Sequence, residues 1–292
     1  MINFYLPNFH KWDFRILNSY FIEMLQKHPE CFYDNIHIGA IYGSFPGVIW
    51  NGGRAMIGDA SINDIEEVIA HYAQLNTPIR FTYTNSLINE SHLCNLYAYL
   101  VTNMAQNGMN EILVNSPILE GFLRENFPNY KYISSTTKCL LDENEIISES
   151  EKYYLTVLDY RKNPDLEFLK SLPNPEKYEI LLNAYCDPNC KNRMEHYRFL
   201  SEAQLHGELV DFPCSARTDC FFDALKFPTV IKLEDLYSTY VDMGFRHFKI
   251  EGRTNNIIDV LESYLYYMVK PEYKDQFRYE VLKSISFNLW QN

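Results

Sequence analysis

Short apolar runs alternate with longer, helix-length segments along the whole chain. The runs are residues 2–6, 36–42, 79–83, 111–114, 130–134, 153–159, 178–183 and 245–250. They are rich in β-branched and aromatic residues and nearly continuous in apolarity, as strands buried on both faces are. Between most of them apolar positions recur at helical spacing. Residues 13–26 carry Phe14, Leu17, Phe21, Met24 and Leu25 on one side. Ser61 reads as an N-cap with Asp64 at the capping-box position, ahead of Ile62, Ile65, Ile69 and Tyr72. Residues 89–106 predict one helix through Leu93, Leu96, Tyr97, Leu100 and Met104, stopped at Gly108. Asn163-Pro164 predicts the cap and first position of a short helix to Leu172. Further helices are expected over 193–205, 233–242 and 254–268, with a terminal one packed on the outside.

Repeated strand–helix alternation means a parallel sheet with right-handed crossovers. Eight such strands predict an α/β fold, a closed (β/α)8 TIM-type barrel. It spans residues 1–292 as one domain, with 270–292 as a C-terminal helix outside it and a cysteine-bearing insertion after the seventh strand. The rival is an open doubly wound sheet; no glycine-rich dinucleotide fingerprint follows any strand, which weighs against it.

Composition narrows the function classes. Apolar residues make up 47% of the chain and aromatics 15%, enough for a sizeable core. No stretch approaches the roughly 20 apolar residues of a membrane span, and no basic start precedes an apolar run. A cytoplasmic location without a membrane partner is expected. The net charge of −12 disfavours direct, broad nucleic-acid binding.

The residues just after each strand are polar, and in a closed barrel they converge on one face. Candidates for substrate binding there are Asn51, Arg54, Asn85, Asn115, Lys138, Arg161, Asn183 and Arg253. Arg54 and Arg253 have the geometry to clamp a carboxylate or phosphate, or equally to pair with Asp159 or Glu251. Gly52-Gly53 allows close backbone approach to a ligand or a plain tight turn. Candidate acid–base groups are Asp159, Glu251 and His196; the histidine lies one helical turn from Arg193 and Tyr197. Each of these also has a plainer reading as a loop or hydrogen-bonding residue.

Seven cysteines, an odd number, argue against a disulfide framework. Four of them fall in one short span. Cys186 and Cys190 form a C-x3-C, and Cys214 and Cys220 follow. Four thiolates complete a [4Fe–4S] cluster or a structural zinc site. Neither spacing is the C-x2-C that zinc sites favour, which weighs toward iron–sulfur; zinc, or ordinary loop cysteines with no metal, are the alternatives.

Phe248-Lys249-Ile250-Glu251-Gly252-Arg253 resembles the KIEGR signature of the collagenase-like peptidase family of unknown catalytic type. Asn183-Ala184-Tyr185-Cys186, with Cys190, Arg193 and His196-Tyr197, resembles that family's cysteine-bearing segment. The match covers roughly residues 178–260. It departs at Leu182–Tyr185, where the family has a Gly-Ser/Ala-Leu-Cys run, and in the cysteine spacings. The resemblance implies a divergent branch of a family that includes [4Fe–4S] proteins of oxygen-independent hydroxylation, acting in ubiquinone biosynthesis or RNA modification. It therefore implies a cluster at the barrel mouth.

The expected function is iron–sulfur-dependent hydroxylation or related redox modification of a small-molecule or nucleotide substrate, with an electron-donor protein as a further partner. A peptidase-like hydrolase is the alternative, although no Ser/His/Asp order or H-E-x-x-H helix stands out. A non-catalytic, metal-binding barrel is the third reading.

Overall fold

The computed structural model describes residues 1–214, 217–218, 220–252 and 256–289. In it eight parallel strands close into a barrel in chain order. They are β1 (Ile2–Pro7), β2 (Ile36–Gly43), β3 (Ile79–Tyr83), β4 (Glu111–Val114), β5 (Lys131–Ser134), β6 (Leu155–Val157), β7 (Tyr178–Leu181) and β8 (His247–Lys249). The ring closes where Asn3, Phe4 and Tyr5 of β1 pair with His247, Phe248 and Lys249.

Around it run α1 (Trp12–Lys27), α2 (Ile62–Gln74), α3 (Glu90–Leu93), α4 (Leu96–Met104), α5 (Pro117–Asn126) and α6 (Glu143–Lys152). They continue with α7 (Leu166–Ser171), α8 (Arg193–His206), α9 (Phe221–Ala224), α10 (Leu233–Asp235), α11 (Ile257–Met268) and α12 (Lys274–Leu289). The (β/α)8 architecture is the one the alternating pattern predicts.

Strand alternation sorts the core into two parts. Phe4, Leu6, Phe81, Ile112, Ile180 and Phe248 join the large cluster between sheet and helices. Tyr5, Ala40, Tyr42, Leu113, Ile133, Leu155 and Val157 form a separate cluster inside the barrel. β2 slips register against β1 between Phe4 and Tyr5. Gly39 sits at that slip, where an added Cβ would lie 2.8 Å from the Tyr5 ring. Below the apolar layer the interior is charged. Arg80 Nε donates to Glu111 (2.6 Å), its Nη1 donates to Glu179 (2.5 Å), and its guanidinium lies 3.8 Å from the Tyr5 ring centroid.

The helices depart from expectation in specific places. Residues 89–106 are not one helix: α3 ends before Cys94, and Asn95 caps a fresh start by accepting from the Ala98 amide. An asparagine able to cap competes with helix continuation. Asn163 does not cap α7; Asp165 does, and Asn163 donates to the carbonyls of Leu181 and Thr229. α11 starts at Ile257, capped by Asn256. Helices α5 and α6, capped by Ser116 and Asp142, lie where no helix was expected. On the outside α12 packs through Phe277, edge-on to Tyr20, Phe21 and Phe32.

Candidate active site

The strand ends open into a pocket of about 960 Å³ empty volume, open solvent at its mouth included. Its floor includes Tyr42, Leu113 and Leu181, and Thr82, Thr84, Ser135, Thr136 and Thr137 also line it. Arg54, Arg193, Arg217, Lys249, Glu251, His196 and Tyr197 complete the wall with Cys186, Cys190 and Cys214.

Helix α8 lies across this mouth and is docked by polar groups along its length. At its first turn Arg193 Nη2 donates to Thr136 (3.1 Å), and its Nε lies 3.1 Å from the Asp159 carboxylate. In its middle Asn85 Nδ2 donates to the Ser201 carbonyl (3.0 Å) and the Ser86 amide donates to Ser201 Oγ (3.2 Å). Near its end Gln204 Nε2 donates to the carbonyls of Val48 and Met56, both at 3.1 Å. Gln204 Oε1 accepts from the Met56 amide (2.7 Å) and from Asn51 (3.3 Å). The helix thus bridges the loops after β2, β3, β5 and β6. The chain behind α8 folds back on the chain before it: Cys186 and Arg217 form an antiparallel bridge, and the Thr218 amide donates to the Tyr185 carbonyl (3.1 Å).

The expected substrate residues divide into those that reach the pocket and those that shape it. Arg54 reaches it, paired with Glu251. Asn51 holds the loop, donating to the Arg54 carbonyl (2.7 Å) and accepting from Thr82 (2.7 Å). Asn85 ties Ile49 to α8, and Asn115 donates to Thr137 (2.8 Å). Asn183 zips β7 to the end of β8, donating to the Glu251 carbonyl and accepting from its amide (2.7 Å). Lys138 turns away from the pocket to Glu149 and Tyr153. Arg161 chelates Asp159 with two 2.9 Å bonds. Arg253 lies outside the described residues. The close approach at Gly52 is to protein: an added Cβ would meet the Thr84 backbone at 2.4 Å.

The three acid–base candidates differ in setting. Asp159 is buried under Arg161 and Arg193. Burial alone would raise its pKa, but the Arg161 hydrogen bonds and the Arg193 charge outweigh it and hold the carboxyl below its ordinary value. It acts as an anchor for Arg193 and does not line the pocket. His196 faces the pocket and stacks on Phe212 with centroids 4.6 Å apart. Burial, then Arg54, Arg217 and Arg193, lower its pKa to about 4, so the imidazole is neutral near pH 7. Glu251 lines the pocket as the partner of Arg54.

Cys186, Cys190 and Cys214 share the pocket wall, whereas Cys220 stands at the start of α9 and does not line it. Burial and the Glu251 charge push the Cys186 thiol up, against the pull of Arg193 and Arg54. Among the described residues no three His, Cys, Asp or Glu side chains are gathered to hold a metal ion. As placed, the four-cysteine set does not fit a ready-made [4Fe–4S] or zinc site.

Several pocket residues lie outside the named substrate and acid–base candidates: Arg193, Tyr197, Arg217 and Thr82, together with Tyr42, Thr84 and Lys249, which belong to the polar ring at the strand ends. Inward alternation along β2, β3 and β8 points to Tyr42, Thr82 and Lys249; α8 folding over the mouth has no comparable signal.

Comparison with known proteins gives fold-level likeness. No family model matches the chain, and no curated protein matches it. Among solved structures it is similar to the U32 peptidase Mk0906, with a TM-score of 0.56 and 11% identity over 88% of this chain and 95% of that one. The Bacillus cereus spore cortex-lytic enzyme SleL aligns with a TM-score of 0.40 and 9% identity, over 91% of this chain and 74% of that one. The first likeness shows a shared barrel fold. No helix among the described residues is long and apolar enough to cross a membrane.

Proposed function

We propose that the chain is a barrel enzyme that binds a small organic anion, free or as part of a nucleotide, in the pocket beneath α8. One observation carries this. Arg54, Arg193, Arg217 and Lys249 converge on a wall whose carboxylate is Glu251, in a chain of net charge −12. Cations gathered in a low-dielectric cleft raise the local concentration of anions whatever the overall charge. The apolar floor suits a carbon skeleton and the threonine and serine lining suits its polar substituents. His196, neutral, serves as a hydrogen-bonding group toward the substrate.

The finer reading is redox modification, with oxygen-independent hydroxylation as the reaction class. Three thiols on one wall beside His196 support it. A cluster would require the segment around Cys214 and Cys220 to rearrange on binding metal, and its electrons would come from a donor protein. Anaerobic reconstitution with iron and sulfide tests this: brown protein with stoichiometric iron, lost in Cys186→Ser, supports it, and colourless, iron-free protein refutes it.

A peptidase is the second reading, favoured by the likeness to the U32 peptidase. A thiol nucleophile needs a depressed pKa and a base in contact. The Cys186 thiol is pushed the other way, and His196 is stacked on Phe212. Peptide hydrolysis that disappears in Cys186→Ala would favour this reading over the first.

The anion reading is tested by a thermal-shift panel of carboxylates and phosphate esters. Stabilisation by some members, lost in Arg54→Met, is the expected result. Equal response in that variant contradicts it.

A further inference from the structure

Beneath the pocket the barrel holds charges that the proposed site does not use. Arg80, Glu111 and Glu179 come from the lower ends of β3, β4 and β7, and Lys249 rises from β8 into the pocket above them. Arg80 and Glu179 are fully buried and Lys249 is 7% exposed. Arg80 is satisfied twice, by Glu111 and by Glu179 Oε2. The other carboxylate oxygen, Glu179 Oε1, has no hydrogen-bond partner among the described residues and lies 3.8 Å from Lys249 Nζ. The same ammonium lies 4.0 Å from the Tyr42 ring centroid.

A lysine this buried keeps its charge only with a counter-charge close by. Glu179 is shared: its Oε2 bonds Arg80, and its Oε1 faces Lys249 as a counter-charge. At 3.8 Å the pair attracts without a direct hydrogen bond, so the ammonium is held in place electrostatically and is not drawn down into the barrel. The Tyr42 face supports it from the side, as a ring quadrupole does a cation.

We infer that Lys249 is the cation that meets the ligand's anionic group in the pocket, and that Glu179, from inside the barrel, is the residue that positions it. This rests on the pocket being an anion site. Glu179 is a positioning residue, because it touches Lys249 and does not line the pocket. It also explains why strands built to be apolar carry a balanced set of charges at this level.

Calorimetric titration with citrate tests the inference on the full chain. Lys249→Met weakens citrate binding at least tenfold. In Glu179→Gln the ammonium loses its proton more readily, so citrate affinity falls at least fivefold between pH 7.5 and pH 9.5. Wild type changes less than twofold over that range. Among the described residues Tyr42 on β2 and Glu179 on β7 face Lys249, and Arg80 on β3 shares Glu179 with it. The Cys186 thiol on the wall is common to both proteins and does not distinguish them. Glu111→Gln, which disturbs Arg80 without touching Lys249, behaves as wild type; a purely structural role for the cluster would move both glutamine variants together.

Citrate binding by Lys249→Met within twofold of wild type overturns the inference. So does a flat pH profile in Glu179→Gln. If Arg54→Met loses binding while Lys249→Met keeps it, the anion pocket stands and the role of Lys249 falls. Wild type that binds neither citrate nor inorganic phosphate removes both. Should Glu179→Gln not fold, recovery of folding in the double variant with Lys249→Met supports the pairing, and continued misfolding overturns it.

Discussion

Replacing Asp159 by Asn removes one charge and almost no volume, and its consequence follows from the contacts of that carboxylate. The side chain is fully buried and accepts from Arg161 Nε and Nη2, both at 2.9 Å, and from the Arg161 amide at 3.0 Å. Arg193, itself nearly buried, lies 3.1 Å away. Asn leaves the Arg193 guanidinium without its counter-ion under α8. Stranding one member of a buried ion pair costs about 3–5 kcal/mol. For a chain of this size that is a fall in Tm of roughly 10 °C, at about 2–4 °C per kcal/mol. Urea unfolding of both proteins at several pH values measures it. The folded Asp159 carboxyl is held below the ordinary value of 3.8, so its contribution is present above that pH and is lost as pH falls through the folded value. The difference between wild type and variant is therefore constant from pH 8 to pH 5, on the order of those 3–5 kcal/mol, and narrows only in strong acid. A difference under about 1 kcal/mol, the size of an exposed pair, would refute the reasoning. So would one that closes between pH 7 and pH 5.

Other predictions follow from the same contacts. Arg80→Met leaves Glu111 buried without its cation and Glu179 with Lys249 alone, and destabilises by about 3–5 kcal/mol in urea unfolding, the cost of breaking a buried ion network. Gln204→Ala removes four hydrogen bonds that dock α8, at about 0.5–1.5 kcal/mol each, and so lowers stability by roughly 2–6 kcal/mol and speeds proteolysis within residues 193–206. His196, with its pKa lowered to about 4, shows no imidazole titration by NMR from pH 8 to pH 5. The unfolded histidine gains its proton near pH 6.5 and the folded one does not, so this residue costs stability as pH falls through that window, and His196→Gln flattens the acid side of the profile.

The barrel was legible because its strands are marked by composition and spacing. Runs such as 79–83 and 111–114 coincide with β3 and β4 at both ends. Helices were read less well where local capping decides the outcome. Asn95 splits a segment whose apolar spacing is continuous, and Asp165 outcompetes Asn163 for the start of α7. The polar ring located the correct face of the barrel, since Arg54, Glu251, His196 and three of the four clustered cysteines line the pocket. Its individual members were harder to assign, because an asparagine at a strand end reads the same whether it faces ligand or backbone. Asn51, Asn85 and Asn183 all serve the backbone. The carboxamides of Asn51 and Gln204 meet only through the fold, so no pattern near either residue announces the helix over the mouth. Arg80, Glu111 and Glu179 did carry a signal. Charges inside runs otherwise buried on both faces mark an internal ion network.

The central claim is that an organic anion occupies the mouth beneath α8. Electron density from crystals soaked with the most stabilising anion of the thermal-shift panel tests it most directly. The account predicts the anion inside the pocket, its charged group against Lys249 and within hydrogen-bonding reach of Arg54 or Arg193. An anion bound elsewhere on the molecule, with that pocket filled by ordered water alone, would contradict it.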